Sequence, residues 1–211
     1  EGVFYVKIQG NLPLTDEAKQ RLAIGAPTSV DVILSQGSLT ATGGWPIPLI
    51  ENILLPQGYY AGYTKETLKD HRYFTIDSEQ ELDQKWPLIL SNHPDFIKTF
   101  LSYSDEFEKR KDSAAYIGQR GLDPRLLPAI VAKAHSNHLQ VSAHITTAAD
   151  FHNAVAAGVD EIAHLPTRGA IPISAADARL AARRGIVVDT TCGLVRRASR
   201  SSLPEADAPA V

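Results

Sequence analysis

The sequence has one cysteine and no methionine among its 211 residues. A single Cys cannot build a disulfide framework or the Cys-rich cage of a structural zinc site, so any metal must be held by His, carboxylates or a less usual ligand. No apolar run approaches the roughly 20 residues needed to span a bilayer, and no charged, apolar, small-residue leader opens the chain. A basic excess is missing too. The 21 Lys and Arg are set against 24 Asp and Glu, for a formal charge of −3 and a pI near 6.2, with both signs mixed along the length. That distribution lacks the basic footprint of nucleic-acid binding. The expectation is a soluble globular protein acting on a small molecule, with neither nucleic acid nor membrane as partner. Composition leaves open both a homo-oligomer and the compartment: cytoplasmic or, if a leader was removed, periplasmic or secreted. The lack of Met and the start at Glu1 predict a piece of a longer protein, either missing its ends or with methionine positions and loops dropped out.

What is present is a repeated alternation of β-rich runs and helical patterns. The runs are Val3 to Gln9, Val30 to Gln36, Asp95 to Leu101, Leu139 to His144, Glu161 to His164 and Ile186 to Thr191. Thr147 with Asp150 and Ser174 with Asp177 have capping-box spacing, and Gly158 and Gly185 sit where helices would end in a left-handed residue. Strand, helix and strand in about 20 residues is a βαβ unit with parallel strands. A helix is predicted from about Asp77 to Leu90, starting at Ser78 and kinked or ended by Pro87. Another is expected to become regular near Leu126 or Leu127, after Pro124. Residues 37 to 94, with GSLTATGGWPIPLI and QGYYAGY, read as a long loop or insert region.

Six such units favour a doubly wound sheet or a barrel, and no G-x-G-x-x-G turn supports the former. The expected fold is an α/β (β/α)8 TIM barrel seen as roughly strands two to seven. Residues 1 to 211 would form a single catalytic domain, incomplete at both ends.

Three runs carry chemistry near their C-terminal ends: Lys98 in DFIKTFL, His144 closing LQVSAH and His164 closing DEIAH. In a parallel sheet those ends form one face, where ligands bind. A lone strand-end His is usually structural, but two in successive strands with a Lys in a third converge. Lys98, flanked by Phe96, Ile97, Phe100 and Leu101, must be paired, neutral or chemically modified if buried. A desolvated, neutral amine could take up carbon dioxide as a carbamate or form a Schiff base, whereas an ordinary Lys would snorkel to solvent. Tyr103, after the Lys98 strand, could polarise a substrate carbonyl, and Arg168 could bind a substrate carboxylate; both are equally explained as loop residues. Tyr59, Tyr60, Tyr63 and Trp45 could wall a pocket or merely pack on their own body. Cys192 has no neighbours that argue for reactivity. His152 reads as structural.

The stretch AIVAKAHSNHLQVSAHITTAADFHNAVAAGVDEIAHLP resembles the metal-dependent amidohydrolases of the imidazolonepropionase-like and prolidase-like branch, with RRGIVVDTTC similar to their seventh strand. The resemblance covers residues 94 to 192 well and the first 93 loosely. It implies a binuclear centre in which Lys98, carboxylated with carbon dioxide, bridges two divalent ions and His144 and His164 bind one of them. Zinc is the first choice, with Mn, Fe or Ni as alternatives. It implies a hydrolase whose metal-bound hydroxide attacks an amide-like bond, cyclic amide or dipeptide included, or an ester or lactone. The family's strand-one H-x-H pair and strand-eight Asp have no counterpart in the sequence. A Schiff-base lyase acting through Lys98 and a non-catalytic, degenerate barrel are the competing readings.

Overall fold

The computed structural model describes residues 4–22 and 30–191. Eight strands are formed: β1 (Tyr5–Ile8), β2 (Asp31–Leu34), β3 (Leu39–Thr40), β4 (Phe74–Thr75), β5 (Phe96–Phe100), β6 (Gln140–His144), β7 (Glu161–Ala163) and β8 (Val187–Asp189). The helices are α1 (Asp16–Leu22), α2 (Ile47–Leu49), α3 (Lys65–Leu68), α4 (Glu79–Ser91), α5 (Phe107–Arg110), α6 (Leu127–Ser136), α7 (Ala148–Ala157) and α8 (Ala175–Arg183). All pairings are parallel. β1 pairs with β2, and a second sheet runs in the order β4-β3-β5-β6-β7-β8. The residue before β5 is tied to β2 by two bonds: Asp95 N donates to Leu34 O at 2.9 Å, and Leu34 N donates to the Asp95 carboxylate at 2.8 Å. The six strands expected from the sequence are β1, β2, β5, β6, β7 and β8, each trimmed by one to three residues at its ends.

Alternation along the strands decides what faces inward. Ile97 and Leu101 of the β5 segment, Val141 and Ala143 of β6 and Ile162 of β7 join one core cluster with α4 (Leu82, Trp86, Ile89), α6 (Leu127, Ile130, Val131) and α7 (Phe151, Ala154, Val155). Side chains alternate across a strand, so Phe96, Lys98, Phe100, Ser142 and His144 share the opposite face. All five residues of β5 are buried, as befits a strand covered on both faces.

The helix boundaries follow their caps. Thr147 and Asp150 form the full capping box, and Gly158 ends α7 with φ 82°. Ser174 caps α8 through Asp177 N, but the Asp177 carboxylate returns to the Ser174 hydroxyl at 2.7 Å rather than to its backbone. Asp123 caps a 3-10 turn over Pro124–Leu126, and α6 becomes regular at Leu127. Pro87 does not end α4, which continues to Ser91; burial of Trp86 and Ile89 on either side holds the helix through it. The 37–94 region is also more ordered than its Gly and Pro content suggested, since it contains β3, β4, α2, α3 and α4. No helix among the described residues is long and apolar enough to cross a membrane.

One glycine is fixed by close approach. A Cβ on Gly121 would lie 2.4 Å from Ser102 N and 2.6 Å from Phe100 O, both backbone atoms at the end of β5. Gly121→Ala is therefore expected to destabilise the protein by roughly 1–3 kcal/mol, the usual cost of overpacking, in a urea titration. An unchanged midpoint would mean that this segment is free to move away from β5.

Candidate active site

The strand register sets the site. Lys98, Ser142 and Glu161 lie side by side across β5, β6 and β7, and Phe100, His144 and Ala163 form the next row toward the C-terminal ends. His164 follows Ala163 with φ 80°, a left-handed conformation uncommon for residues other than glycine, though His is among those that enter it more readily. That turn brings its ring to the His144 ring, edge to face, with centroids 5.0 Å apart. Phe100 stacks on the other side of His144 at 5.1 Å.

Lys98 is 2 % exposed, and its Nζ has no hydrogen-bond partner among the described residues. Its nearest aromatic ring is Phe100, 5.3 Å from Nζ to the centroid. Burial pulls its pKa down to about 7; Glu161 opposes this, while Lys7 adds to it. Those two neighbours are themselves paired. Lys7 Nζ donates to Glu161 at 2.6 Å, Gln9 Nε2 donates to the other carboxylate oxygen at 2.6 Å, and the Ser142 hydroxyl lies 3.0 Å from that same oxygen. Glu161 is thus committed elsewhere, and the Lys98 amine is left alone.

Both histidines are held neutral. Burial lowers the His144 pKa well below the usual value, with smaller contributions from Lys98 and His164; burial and then Lys98 lower that of His164, against an opposing pull from Asp189. His164 Nδ1 lies 2.9 Å from Thr191 Oγ1, and His144 Nε2 makes a long 3.5 Å contact with Thr146 Oγ1. His144 Nδ1 and His164 Nε2 have no bond among the described residues. Two neutral imidazoles, each with a ring nitrogen to spare, beside a buried amine without a partner fit a divalent metal ion, provided the amine is converted into an oxygen donor. The condition matters, because no group of three or more His, Cys, Asp or Glu able to hold a metal occurs among the described residues.

The other candidates separate. Tyr103 sits just beyond β5 with φ 55°, its ring under the Arg110 guanidinium at 3.7 Å. Arg110 stacks also on Tyr116 and pairs with Glu106, so Tyr103 belongs to a cation–π stack at the edge of the face. Arg168 is exposed on the loop after β7, where its backbone N donates to Thr146 O. Tyr60 packs against the cluster of Ile47, Ile50, Leu68 and Tyr73, and its hydroxyl accepts from Arg72 Nε at 3.1 Å. His152 pairs with Asp177 at 2.8 Å on the surface. Cys192 lies outside the described residues.

Sequence reasoning missed Asp150 and Thr191. The wholly buried Asp150 carboxylate accepts from Tyr103 N, Ser104 N and Oγ, Thr146 N and Thr147 N, at 2.5–3.1 Å. It joins the loop after β5 to the loop after β6, whereas its spacing from Thr147 signalled only a helix cap. Thr191 gave no local signal, since its partner lies 27 residues away.

No family model matches the sequence, and no curated protein matches it. Solved structures do. Over 97% of its length the chain superposes on A. niger ochratoxinase with a TM-score of 0.65 at 19% identity, covering 45% of that chain. Over 99% it superposes on a Xaa-Pro dipeptidase with methionine bound in its active site, at TM-score 0.66 and 16% identity, covering 47%. A protein described as an amidohydrolase matches over 97% at TM-score 0.62 and 24% identity, again covering 47%. The chain therefore shares the fold of these structures and spans about half their length.

Proposed function

We propose that this chain carries part of the active site of a metal-dependent hydrolase that cleaves an amide-like C–N bond in a small molecule. The observation that carries the reading is the Lys98 amine: buried, without a hydrogen-bond partner among the described residues, its pKa lowered to about 7, and one row beneath His144, whose ring His164 meets. As the free base it can attack carbon dioxide; a C–N bond forms, a proton leaves, and the product is an anionic carbamate with two oxygen donors. His144, His164 and carboxylated Lys98 would then hold divalent metal, zinc first and Mn, Fe or Ni as alternatives, with Lys98 bridging two ions. Such ions lower the pKa of water and polarise a carbonyl. The chain's own residues supply the rest: Phe100 shields the His144 ring, and the Asp150 tie keeps the loops after β5 and β6 in place. The substrates of the fold's neighbours suggest amides and Xaa-Pro dipeptides; esters and lactones need the same attack.

Elemental analysis of the intact protein, prepared with zinc or manganese and bicarbonate, tests this. About two ions per chain are expected from a bridged centre, and Lys98→Ala should lower both metal content and turnover. A folded protein without metal would overturn the proposal and leave the non-catalytic barrel. The near-neutral amine also suits a Schiff-base lyase, for which borohydride would trap a carbonyl compound on Lys98.

A further inference from the structure

The strands β7 and β8 are followed, at His164 and Thr191, by residues whose backbones are unusual and whose side chains meet. His164 has φ 80° and Thr191 φ 43°, in a region a β-branched residue rarely enters. Such conformations persist only where surrounding contacts hold them. Here the contacts form a closed set: His164 N donates to Asp189 O at 2.7 Å, Thr191 N donates to Asp189 Oδ1 at 3.2 Å, and Thr191 Oγ1 lies 2.9 Å from His164 Nδ1. Both strained residues are thereby tied to Asp189, and the result is one hydroxyl fixed against one ring nitrogen.

We propose that Thr191 is a positioning residue for His164: its hydroxyl oxygen accepts the proton-bearing Nδ1, which fixes the ring's orientation and leaves the Nε2 lone pair turned to the site. The inference rests on the metal-site reading for its purpose, but the hydrogen bond itself does not. Without the acceptor, a neutral imidazole would favour the opposite tautomer, with the proton on Nε2, and would have to give up that preference on binding an ion. Partners of this kind, acting through a ligand's other ring nitrogen, are worth about 10–100-fold in metal affinity. A hydroxyl differs from the commoner carboxylate partner in adding no negative charge.

The test uses the intact protein and two independent readings. Long-range ¹H–¹⁵N spectra of the metal-free protein should show His164 protonated on Nδ1. A wild-type spectrum showing the proton on Nε2 would overturn the proposal whatever the variants do. In Thr191→Val, which keeps the shape and removes the hydroxyl, the Nε2-protonated form should appear and cobalt binding should weaken by about 10–100-fold; Thr191→Ser should restore both. A valine variant with the wild-type tautomer and cobalt affinity would overturn it as well. Wild-type protein that binds no cobalt would refute the metal reading instead, and the tautomer would still decide the role of Thr191.

Discussion

Replacing Lys98 with methionine is expected to stabilise the metal-free protein while removing its ability to bind metal through this position. Lys98 is 2 % exposed and its amine has no partner, so its charged form is disfavoured and its pKa falls from 10.5 to about 7. The folded-state value is below the unfolded one, so between about pH 7 and 10.5 the unfolded chain binds more protons at this residue. Stability then rises with pH across that window, by up to about 1.4 kcal/mol per pH unit, and levels off below it. At pH 7 the lysine thus costs the fold an amount whose upper bound is about 4–5 kcal/mol; relaxation around the site brings the expected gain for Lys98→Met to roughly 2–4 kcal/mol. Methionine fills a similar volume without a charge. Urea titrations of metal-free wild type and variant at pH 7 and pH 10 would show it. The variant should be more stable at pH 7, and the difference should shrink toward pH 10. Equal stabilities with parallel pH dependence would show that the amine is not desolvated in solution. A buried, unpartnered amine that lowers the stability of its own fold is a candidate for chemistry, which is the physical argument for proposing a functional role for Lys98.

The sequence was most legible where one local rule suffices. FIKTFL reads as a strand because apolar pairs flank Lys98 and Thr99 on both sides, and its burial on both faces is what such a run requires. Thr147 and Gly158 bracket α7 because capping depends on residues within one turn. The two-residue strands β3 and β4 were not legible: 37–94 is rich in Gly and Pro, and two residues cannot show a period. Lys98, His144 and His164 could be singled out because strand ends share a face in any parallel fold; the structure places Lys98 and His144 in successive rows of that face and the His164 ring against His144. What could not be read was how His164 reaches His144. That depends on a positive φ at His164 and on a hydroxyl from the next strand, neither of which has a signature in neighbouring residues.

Asp150→Ala should be the most destabilising single change near the site, at roughly 3–5 kcal/mol, because it leaves several buried or partly buried donors without an acceptor at about 1 kcal/mol or more each. Four are backbone N–H groups, from Tyr103, Ser104, Thr146 and Thr147, and the fifth is the Ser104 hydroxyl. Three of those five donors belong to the loop after β5 and two to the loop after β6, so losing the carboxylate frees both loops at once. Thr147→Ala provides the control. It removes the reciprocal bond that Asp150 N donates to the Thr147 hydroxyl oxygen and should cost about 1 kcal/mol, the usual cost of losing a cap. If Asp150 served only the helix end, the two variants would be equally stable in urea. If it joins the loops, Asp150→Ala should cost several times more, and hydrogen exchange should quicken at Tyr103 and Ser104, which lie 46 or more residues away from it in sequence. Exchange at those two amides unchanged from wild type would refute the tie. The same experiment bears on the active site, since Thr146, released by the change, is the residue that contacts His144 Nε2 and, through its hydroxyl, Ser102. Asp150 thus couples the order of two loops to the placement of a histidine it never touches.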